Sequence, residues 1–288
     1  MNMNNYVLLT DSTIDLDESI VNSLDIDVIP MEITVDEKIF SDGDISHEEF
    51  YAKLRNKATS STSQISPATF KEYFSSIVKN GKDVLYLCFS SGLSGMFNSA
   101  KIAASEVCKD FPERRIEVID SLSASIGEGL LVYEMANRKH EGYSMDELMQ
   151  YANYVRLNVC HWFVVDDLNY LYRGGRLSQT AAIFGSVMNI KPILGVNNDG
   201  KLEIKAKVRG KSKAAEYMIS QIETHARDIK NQVVLVGHAD CSESARDLAD
   251  KIKEKFNPKK IIISKLGAVI GSHVGPGMFA TAFLGDKR

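Results

Sequence analysis

The sequence of 288 residues contains only four cysteines, and no pair of them has the spacing of a zinc site or a redox motif. They lie far apart, each in or beside an apolar run. Reduced thiols packed as small hydrophobic side chains therefore explain them better than disulfides or metal ligands. The HExxH zinc pattern is absent as well. These absences favour a cytoplasmic protein that holds no metal. The cysteines are Cys88, Cys108, Cys160 and Cys241.

Excess basic charge and long hydrophobic runs are also missing. Lys and Arg number 34 against 38 Asp and Glu, so the formal net charge is −4 and no basic face for nucleic acid is indicated. No apolar run approaches the roughly 18 residues of a membrane span. The N-terminal segment lacks the basic region and apolar core of a signal peptide. What remains is an ordinary globular composition, 44% hydrophobic and 25% charged.

In the first half of the sequence, short β-type runs alternate with helical stretches. Apolar runs at Tyr6–Thr10 and Asp83–Phe89 are typical of buried strands, and Ser66 before Pro67 predicts the start of a helix. The run 26–35 contains Pro30, which predicts an edge strand or a bulged strand. This alternation predicts an α/β fold with βαβ units on a mainly parallel sheet.

The pattern changes near residue 160. An Asn-Asn-Asp-Gly turn separates the β-type runs Pro192–Val196 and Leu202–Val208, which predicts an antiparallel hairpin. A helix is expected to begin at Ser178. A hairpin inside α/β alternation predicts a mixed sheet, so we expect two domains, residues 1–160 and residues 161–288.

Three clusters of hydroxyl and glycine residues lie where predicted strands meet predicted helices. In a parallel sheet, ligands bind beyond the carboxyl ends of the strands, and helix N-termini there favour anions. Each cluster alone is better explained as a helix cap or a solvated turn than as part of a binding site. Taken together, the three clusters support an anion-binding site about as well as they support caps and turns. The clusters are Asp11–Thr13, Ser60–Gln64 and Ser90–Gly95.

Three further features bear on chemistry. Gly92-Leu93-Ser94-Gly95 departs from the Gly-x-Ser-x-Gly nucleophile elbow because its second glycine comes one position early, which disfavours a serine hydrolase. His273 lies in a Gly- and Pro-rich segment and is predicted to be displayed by a loop. Arg173, in the segment Arg-Gly-Gly-Arg, belongs either to a solvated turn or to a site where its guanidinium forms two hydrogen bonds with a carboxylate or phosphate.

Taken together, six segments resemble the DegV family of bacterial fatty-acid-binding proteins, the binding subunits of fatty acid kinase. They occur in the order found in that family and span essentially the whole chain. Two departures are Ile65, where the family pattern has Pro, and Met96-Phe97, where it more often has Thr-Tyr. The segments are Asp11–Thr13, Asp42–Ile45, Thr62–Pro67, Ser90–Gly95, Tyr172–Ser178 and His273–Gly277.

The resemblance implies a three-layer α/β/α N-terminal domain, a C-terminal α/β domain with a mixed sheet, and a ligand buried between them. Within that fold it assigns residues to three roles. The carboxylate of the fatty acid would be bound by Thr62, Ser63, Ser94 and His273, the vicinity of the head group or phosphate would include Arg173 and Gly95, and Arg209 would belong to the surface that docks the kinase.

The resemblance also implies a division of labour in which this chain is a carrier and not an enzyme. It would hold a long-chain fatty acid, without any other cofactor, while a separate ATP-dependent kinase subunit related to dihydroxyacetone kinases phosphorylates the carboxylate. The acyl-phosphate would then pass to the acyltransferase of phospholipid synthesis, with only transient contact with that enzyme and the membrane surface. Two alternatives stay open: a serine-based acyl hydrolase or acyltransferase using Ser94 and His273, and a binding protein for another small anion.

Overall fold

A four-stranded parallel sheet is formed by the first half of the chain. The computed structural model describes residues 5–178 and 189–288. The strand order is β2-β1-β6-β7, and all three pairings are parallel. All of β6 after its first residue is buried, as expected for a strand covered on both faces. The strands are β1 (Tyr6–Asp11), β2 (Asp27–Ile29), β6 (Asp83–Cys88) and β7 (Ile116–Asp120).

Six helices accompany this part of the chain, and their starts follow local capping chemistry. The Ser66 hydroxyl accepts a hydrogen bond from the Thr69 amide at 3.1 Å, with Pro67 in the first turn, as the sequence predicts. Helices α3 and α4 pack on each other and on the parallel sheet. The helices are α1 (Glu18–Ser23), α2 (His47–Arg55), α3 (Pro67–Lys79), α4 (Met96–Asp110), α5 (Ile126–His140) and α6 (Met145–Val155).

The predicted single run 26–35 is divided between two sheets. Residues before Pro30 form β2 in the parallel sheet, and those after it form β3 (Glu32–Val35) in a small antiparallel sheet of order β4-β3-β5. Proline has no N–H for the ladder, so the strand is interrupted there. The partners of β3 are β4 (Lys38–Ser41) and β5 (Ser60–Ser63), the second of which the sequence suggested only as a polar segment before a helix.

From Val159 onward the strands form a six-stranded mixed sheet of order β10-β9-β8-β13-β11-β12. Only the β11–β12 pairing is parallel, and β9 and β10 form the predicted antiparallel hairpin. The α/β class with a parallel and a mixed sheet is thus confirmed. The strands are β8 (Val159–Val164), β9 (Ile190–Val196), β10 (Leu202–Arg209), β11 (Val233–His238), β12 (Lys260–Lys265) and β13 (Phe279–Leu284).

One hydrophobic core connects the two larger sheets. It contains buried residues from both halves, and helix α5 packs directly on β8, β11 and β13 of the mixed sheet. The division into domains at residue 160 stays a prediction, and the helix expected from Ser178 lies outside the described residues except for its first position. The remaining helices among the described residues are α7 (Asn169–Arg173), α8 (Gly210–His225), α9 (Ser242–Phe256) and α10 (Ala268–Val274).

The prediction that a loop displays His273 is wrong, because this residue lies in the last turn of α10. Gly271 does not break the helix. A Cβ at Gly271 would lie 2.7 Å from Phe50 Cε1 and 2.7 Å from the Tyr51 hydroxyl oxygen, so close packing explains the glycine. The helix ends at Gly275, whose φ of +68° suits glycine.

Candidate functional site

A cavity lies between the carboxyl ends of the parallel strands and one face of the mixed sheet. Most of its wall is apolar. Apolar side chains from five elements or their ends contribute to it: Phe89 after β6, Ile126 in α5, Phe163 in β8, Ile270 in α10 and Ala280 in β13.

The end of the cavity beside α10 is polar, because a hydroxyl, an imidazole and a guanidinium converge there. Thr62 in β5 and His273 in α10 are joined by a hydrogen bond of 2.8 Å between Oγ1 and Nε2. The small sheet brings Thr62 to this position through its pairing with Ile33 of β3. The polar lining of this end consists of Thr62, Gln64, Ser94, Arg176 and His273.

His273 is a neutral base in this setting. Burial lowers the pKa of His273 to about 4, and the positive charge of Arg176 contributes to the same shift. Its Nδ1 has no hydrogen-bond partner within the described part of the chain. A Cβ on Gly174 would lie 2.2 Å from that nitrogen, so only glycine lets the turn approach the ring so closely. A neutral imidazole offers one donor and one acceptor to Thr62 and to a ligand.

Arg176 is the cation of this end. Its Nε donates to the Leu93 carbonyl at 3.1 Å and its Nη1 to the Gly174 carbonyl at 2.5 Å. Burial lowers the pKa of the guanidinium. Among residues 5–178 and 189–288, no carboxylate lies within ion-pair distance of it. A half-buried guanidinium that contacts only neutral carbonyls favours an anionic ligand as its counter-charge.

The Ser90–Gly95 segment holds Ser94 at the cavity wall through local hydrogen bonds. Ser94 Oγ accepts from the Met96 amide at 3.3 Å, at the start of α4. Ser90 Oγ donates to the Gly200 carbonyl at 2.8 Å, which fixes this segment to the β9–β10 turn. His273 contacts Thr62, and no hydrogen bond joins it to Ser94 in the described structure. The geometry lacks the serine–histidine contact on which the hydrolase alternative depends.

Three of the residues suggested by the sequence, Thr62, Ser94 and His273, therefore line one cavity. Two others lie beside it. Ser63 is exposed and follows Thr62 on β5, where successive side chains point to opposite faces. Gly95 is exposed at the start of α4, and a Cβ there would lie 2.6 Å from Gln64 Oε1.

The two suggested arginines lie outside the cavity lining. Arg173 is exposed, with its guanidinium 4.8 Å from the centre of the Tyr170 ring. Arg209 is exposed at the junction of β10 and α8. The roles given to Arg173, Arg209, Ser63 and Gly95 stay predictions.

Sequence reasoning missed two residues at the polar end and one deeper in the cavity. Gln64 follows Thr62 by two positions, so the two-residue period of extended chain would have placed both side chains on one face. Arg176 lies in the same Arg-Gly-Gly-Arg turn as Arg173, and only the three-dimensional path shows which arginine turns inward. His161, on β8, also lines the cavity, and no sequence motif marked it as part of a ligand site.

Of the Asp11–Thr13 cluster, only Thr13 lines the cavity. Asp11 is fully buried and accepts hydrogen bonds from the hydroxyls of Thr13 at 2.5 Å and Tyr86 at 2.8 Å, and from the Phe89 amide at 3.3 Å. Burial raises the pKa of this carboxyl, and the three donors counteract that shift. Asp11 therefore holds the ends of β1 and β6 together and fixes Phe89 in the cavity wall.

Two possible features are not found in the described ranges. No group of three or more His, Cys, Asp or Glu side chains there is arranged to hold a metal ion. No helix in the same ranges combines the length and apolar character needed to cross a membrane.

Comparison with known proteins gives consistent matches over nearly the whole chain. A family model described as uncharacterised protein, DegV family, matches residues 5–286. A DegV domain-containing protein of Clostridium perfringens is 40% identical over 289 residues, which cover 99% of each chain.

Solved structures with the same fold include two that are described by their ligand class. One is a DegV family protein from Thermus thermophilus described by its fatty acid binding, with a TM-score of 0.88 and 30% identity over 97% of this chain and 99% of that one. Another is DegV from Bacillus subtilis, described as a fatty acid binding protein. It has a TM-score of 0.85 and 26% identity, and the match covers 98% of this chain and 99% of that one.

Proposed function

The chain belongs to the DegV family, and on this premise we propose that it binds a long-chain fatty acid in the cavity between the two larger sheets. The carboxylate lies at the end lined by Thr62 and His273, and the acyl chain lies along the apolar wall. The observation that carries this proposal is the half-buried Arg176 guanidinium, without a carboxylate partner in the described chain, at one end of an otherwise mainly apolar cavity.

The acyl chain supplies most of the binding free energy. About 15 methylenes at roughly 0.8 kcal/mol each amount to about 12 kcal/mol of gross burial, an upper bound before the costs of association. Each charge-assisted hydrogen bond to the head group adds a net of about 1.5–3 kcal/mol. The apolar wall therefore retains the ligand, while the polar end decides which end of the ligand faces outward.

The polar end suits a carboxylate in its charge and its donors. Arg176 supplies the opposite charge, and the hydroxyls of Thr62 and Ser94 donate hydrogen bonds without adding charge. His273, neutral in the empty site, takes up a proton more readily once a carboxylate lies beside it, because an opposite charge favours the imidazolium.

The chain is then a cytoplasmic carrier and not a catalyst. It presents the carboxylate to a separate ATP-dependent kinase subunit, related to dihydroxyacetone kinases, and carries the acyl-phosphate towards phospholipid synthesis, with transient contact with an acyltransferase and the membrane surface. Arg209 belongs to the docking surface for the kinase. Its side chain is exposed and makes no hydrogen bond or ion pair within the described residues, so it is available to an acidic partner surface.

Analysis of the protein as purified tests the ligand class. Native mass spectrometry, followed by extraction and identification of the released compound, is expected to give a long-chain fatty acid in equimolar amount. Recovery of a phosphorylated metabolite, or failure of delipidated protein to bind any long-chain acid, overturns the proposal. Turnover of acyl esters or acyl-CoA by the pure protein overturns the assignment as a carrier.

The presentation step is tested with the Ser94→Ala variant. Because the acyl chain supplies most of the binding free energy, this variant is expected to lose more of its phosphoryl transfer in a kinase-coupled assay than of its fatty-acid affinity, which should fall about 10-fold with the loss of one head-group hydrogen bond. Equal losses in the two assays contradict the role assigned to Ser94.

A further inference from the structure

Deep in the cavity lies a polar side chain that the proposed carboxylate site does not use. His161, on β8, is 8% exposed and lines the cavity. It packs against Gly127 at the start of α5, and hydrogen bonds from Ser125 to Asp15 and from the Gly267 amide to Asp15 join that end of α5 to the start of α10. His273 lies in the last turn of α10, six residues or about 9 Å further along the helix. His161 therefore lies near the start of α10, away from the head group at His273.

His161 is held in place by a glycine of the opposing helix. A Cβ on Gly127, in the first turn of α5, would lie 1.7 Å from His161 Nε2, so any larger residue would displace the ring. Within the described residues neither ring nitrogen has a hydrogen-bond partner. Leaving a buried donor or acceptor unpaired costs free energy, so such a group in a native protein requires an explanation.

Two polar residues of the cavity lining lie beside α5, the helix that His161 contacts at Gly127. Thr13 and Ser125 line the same cavity, and the Ser125 hydroxyl donates to Asp15 at 2.5 Å. Ser125 has a φ of +54°, a conformation that is strained for a residue with a side chain and that persists only where the surroundings impose it.

Burial and the positive charge of Arg288 keep the ring of His161 neutral. Burial lowers the pKa of His161 well below its ordinary value, and the positive charge of Arg288 lowers it further. A weak contact with the Val159 backbone offsets only part of this shift. Asp15, the hydrogen-bond partner of Ser125, and Glu128, the residue after Gly127, are buried carboxyls whose pKa values burial raises. A neutral ring supplies no counter-charge for a second carboxylate on the ligand and pairs better with an uncharged polar group.

Resting on the proposed function, we propose that the cavity is built for a long-chain acid that carries a hydroxyl group on the part of the chain remote from the carboxylate, and that His161 hydrogen-bonds this hydroxyl. A saturated hydrocarbon chain leaves both ring nitrogens unpaired. A hydroxyl both donates and accepts, so it matches the imidazole in either tautomer.

Competition between acids of equal length tests this proposal. Delipidated full-length protein is incubated with equimolar stearic acid and 12-hydroxystearic acid, and the bound ratio is measured by native mass spectrometry. We expect a preference of roughly 3- to 10-fold for the hydroxy acid, the effect of one net hydrogen bond. His161→Leu is expected to abolish that preference. For an acid with its hydroxyl at position 2, beside the carboxylate, the affinity relative to stearic acid is expected to be the same in wild type and in His161→Leu.

The matched control is Phe163→Leu, which alters the apolar wall of the same cavity from the same strand. It is expected to change the affinity for both acids alike and leave their ratio unchanged. His161→Gln, which keeps a donor and an acceptor, is expected to retain part of the preference, and it serves as the test if His161→Leu does not fold.

The outcomes separate this inference from the proposed function. If wild-type protein binds stearic and 12-hydroxystearic acid equally well, or if the preference survives His161→Leu, the hydroxyl subsite is refuted while fatty-acid binding stands. If no long-chain acid binds at all, the proposed function itself fails.

Discussion

Thr62 Oγ1 and His273 Nε2 lie 2.8 Å apart, although 211 residues separate them in the sequence. The contact joins β5 of the small antiparallel sheet to the last turn of α10, which packs on both β5 and β3. The polar end of the cavity is thus assembled by tertiary contact between two distant segments. Loss of either partner is expected to affect the position of the other.

Replacing Thr62 by valine removes the hydroxyl and keeps the shape of the side chain. The variant loses one hydrogen bond to the carboxylate and leaves His273 without its partner. We expect fatty-acid affinity to fall about 10-fold, since such a bond is worth about 1.5 kcal/mol when one partner is charged. Displacement of a fluorescent fatty acid measures the change.

Ser63→Ala is the matched comparison for Thr62→Val. Ser63 is the next residue on the same strand and is exposed. Its substitution is expected to alter the affinity by less than about 2-fold, in the range of ordinary surface changes. A loss as large as that of Thr62→Val would show that Ser63 reaches the ligand, as the family resemblance suggests.

Arg176 and Arg173 are expected to differ sharply in their effect on head-group selectivity. Arg176→Gln removes the only cation that lines the cavity in the described chain, so affinity for stearic acid should fall about 10- to 100-fold. Affinity for stearyl alcohol, which has no charge, should change by less than about 3-fold. Arg173→Gln should leave both affinities close to wild type, because that side chain is exposed against Tyr170.

Isothermal titration calorimetry with the acid and the alcohol measures this selectivity directly. An equal loss of affinity for both ligands in Arg176→Gln would indicate a distorted site, since Arg176 also bonds the Leu93 and Gly174 carbonyls. Arg176→Lys, which keeps the charge, is expected to recover part of the acid selectivity.

Much of the fold follows from local sequence patterns. The parallel strands β1 and β6, the start of α3 at Pro67 and the hairpin of β9 and β10 each depend on apolar periodicity or turn chemistry within a few residues. Such signals are visible in one sequence because the interactions that produce them are short in range.

Features that depend on tertiary packing could not be predicted from local sequence patterns. The Gly- and Pro-rich segment around His273 looked like a loop, but Gly271 lies in a helix and is required by its close contact with Phe50 and Tyr51, which lie far away in the sequence. The inward turn of Arg176 and the position of His161 opposite Gly127 likewise depend on how elements pack. Sequence periodicity alone contains no information about these contacts.

The protonation of His273 is expected to respond to ligand binding. In the free protein its pKa of about 4 lies below the ordinary value because of burial and Arg176. The unfolded chain therefore binds a proton at a higher pH than the native protein does. The contribution of His273 to stability is complete above about pH 6.5 and is lost as the pH falls towards 4.

NMR titration of the imidazole signals checks this expectation. In the free protein the His273 resonances should not shift until the pH approaches about 4, and a bound carboxylate should move the midpoint upward. An ordinary midpoint near 6.5 in the free protein would contradict the buried, neutral state.

Gly127 and His161 form the most sharply testable packing pair. A Cβ at Gly127 would lie 1.7 Å from His161 Nε2, and neither the helix backbone of α5 nor strand β8 can move aside cheaply. Gly127→Ala is therefore expected to lower the free energy of unfolding by about 1–3 kcal/mol, as overpacking of a core does. Alanine is otherwise the better helix former by about 1 kcal/mol. A lower free energy of unfolding in Gly127→Ala would therefore be due to the clash with His161.

Combining Gly127→Ala with His161→Ala isolates that clash. In the His161→Ala background the Cβ has room, so adding Gly127→Ala should cost much less than in wild type, or should stabilise the protein. Urea denaturation of the wild type, both single variants and the double variant gives the coupling free energy. A coupling near zero would mean that the ring and the helix do not pack as described, and it would also remove the geometric basis for a hydroxyl subsite at His161.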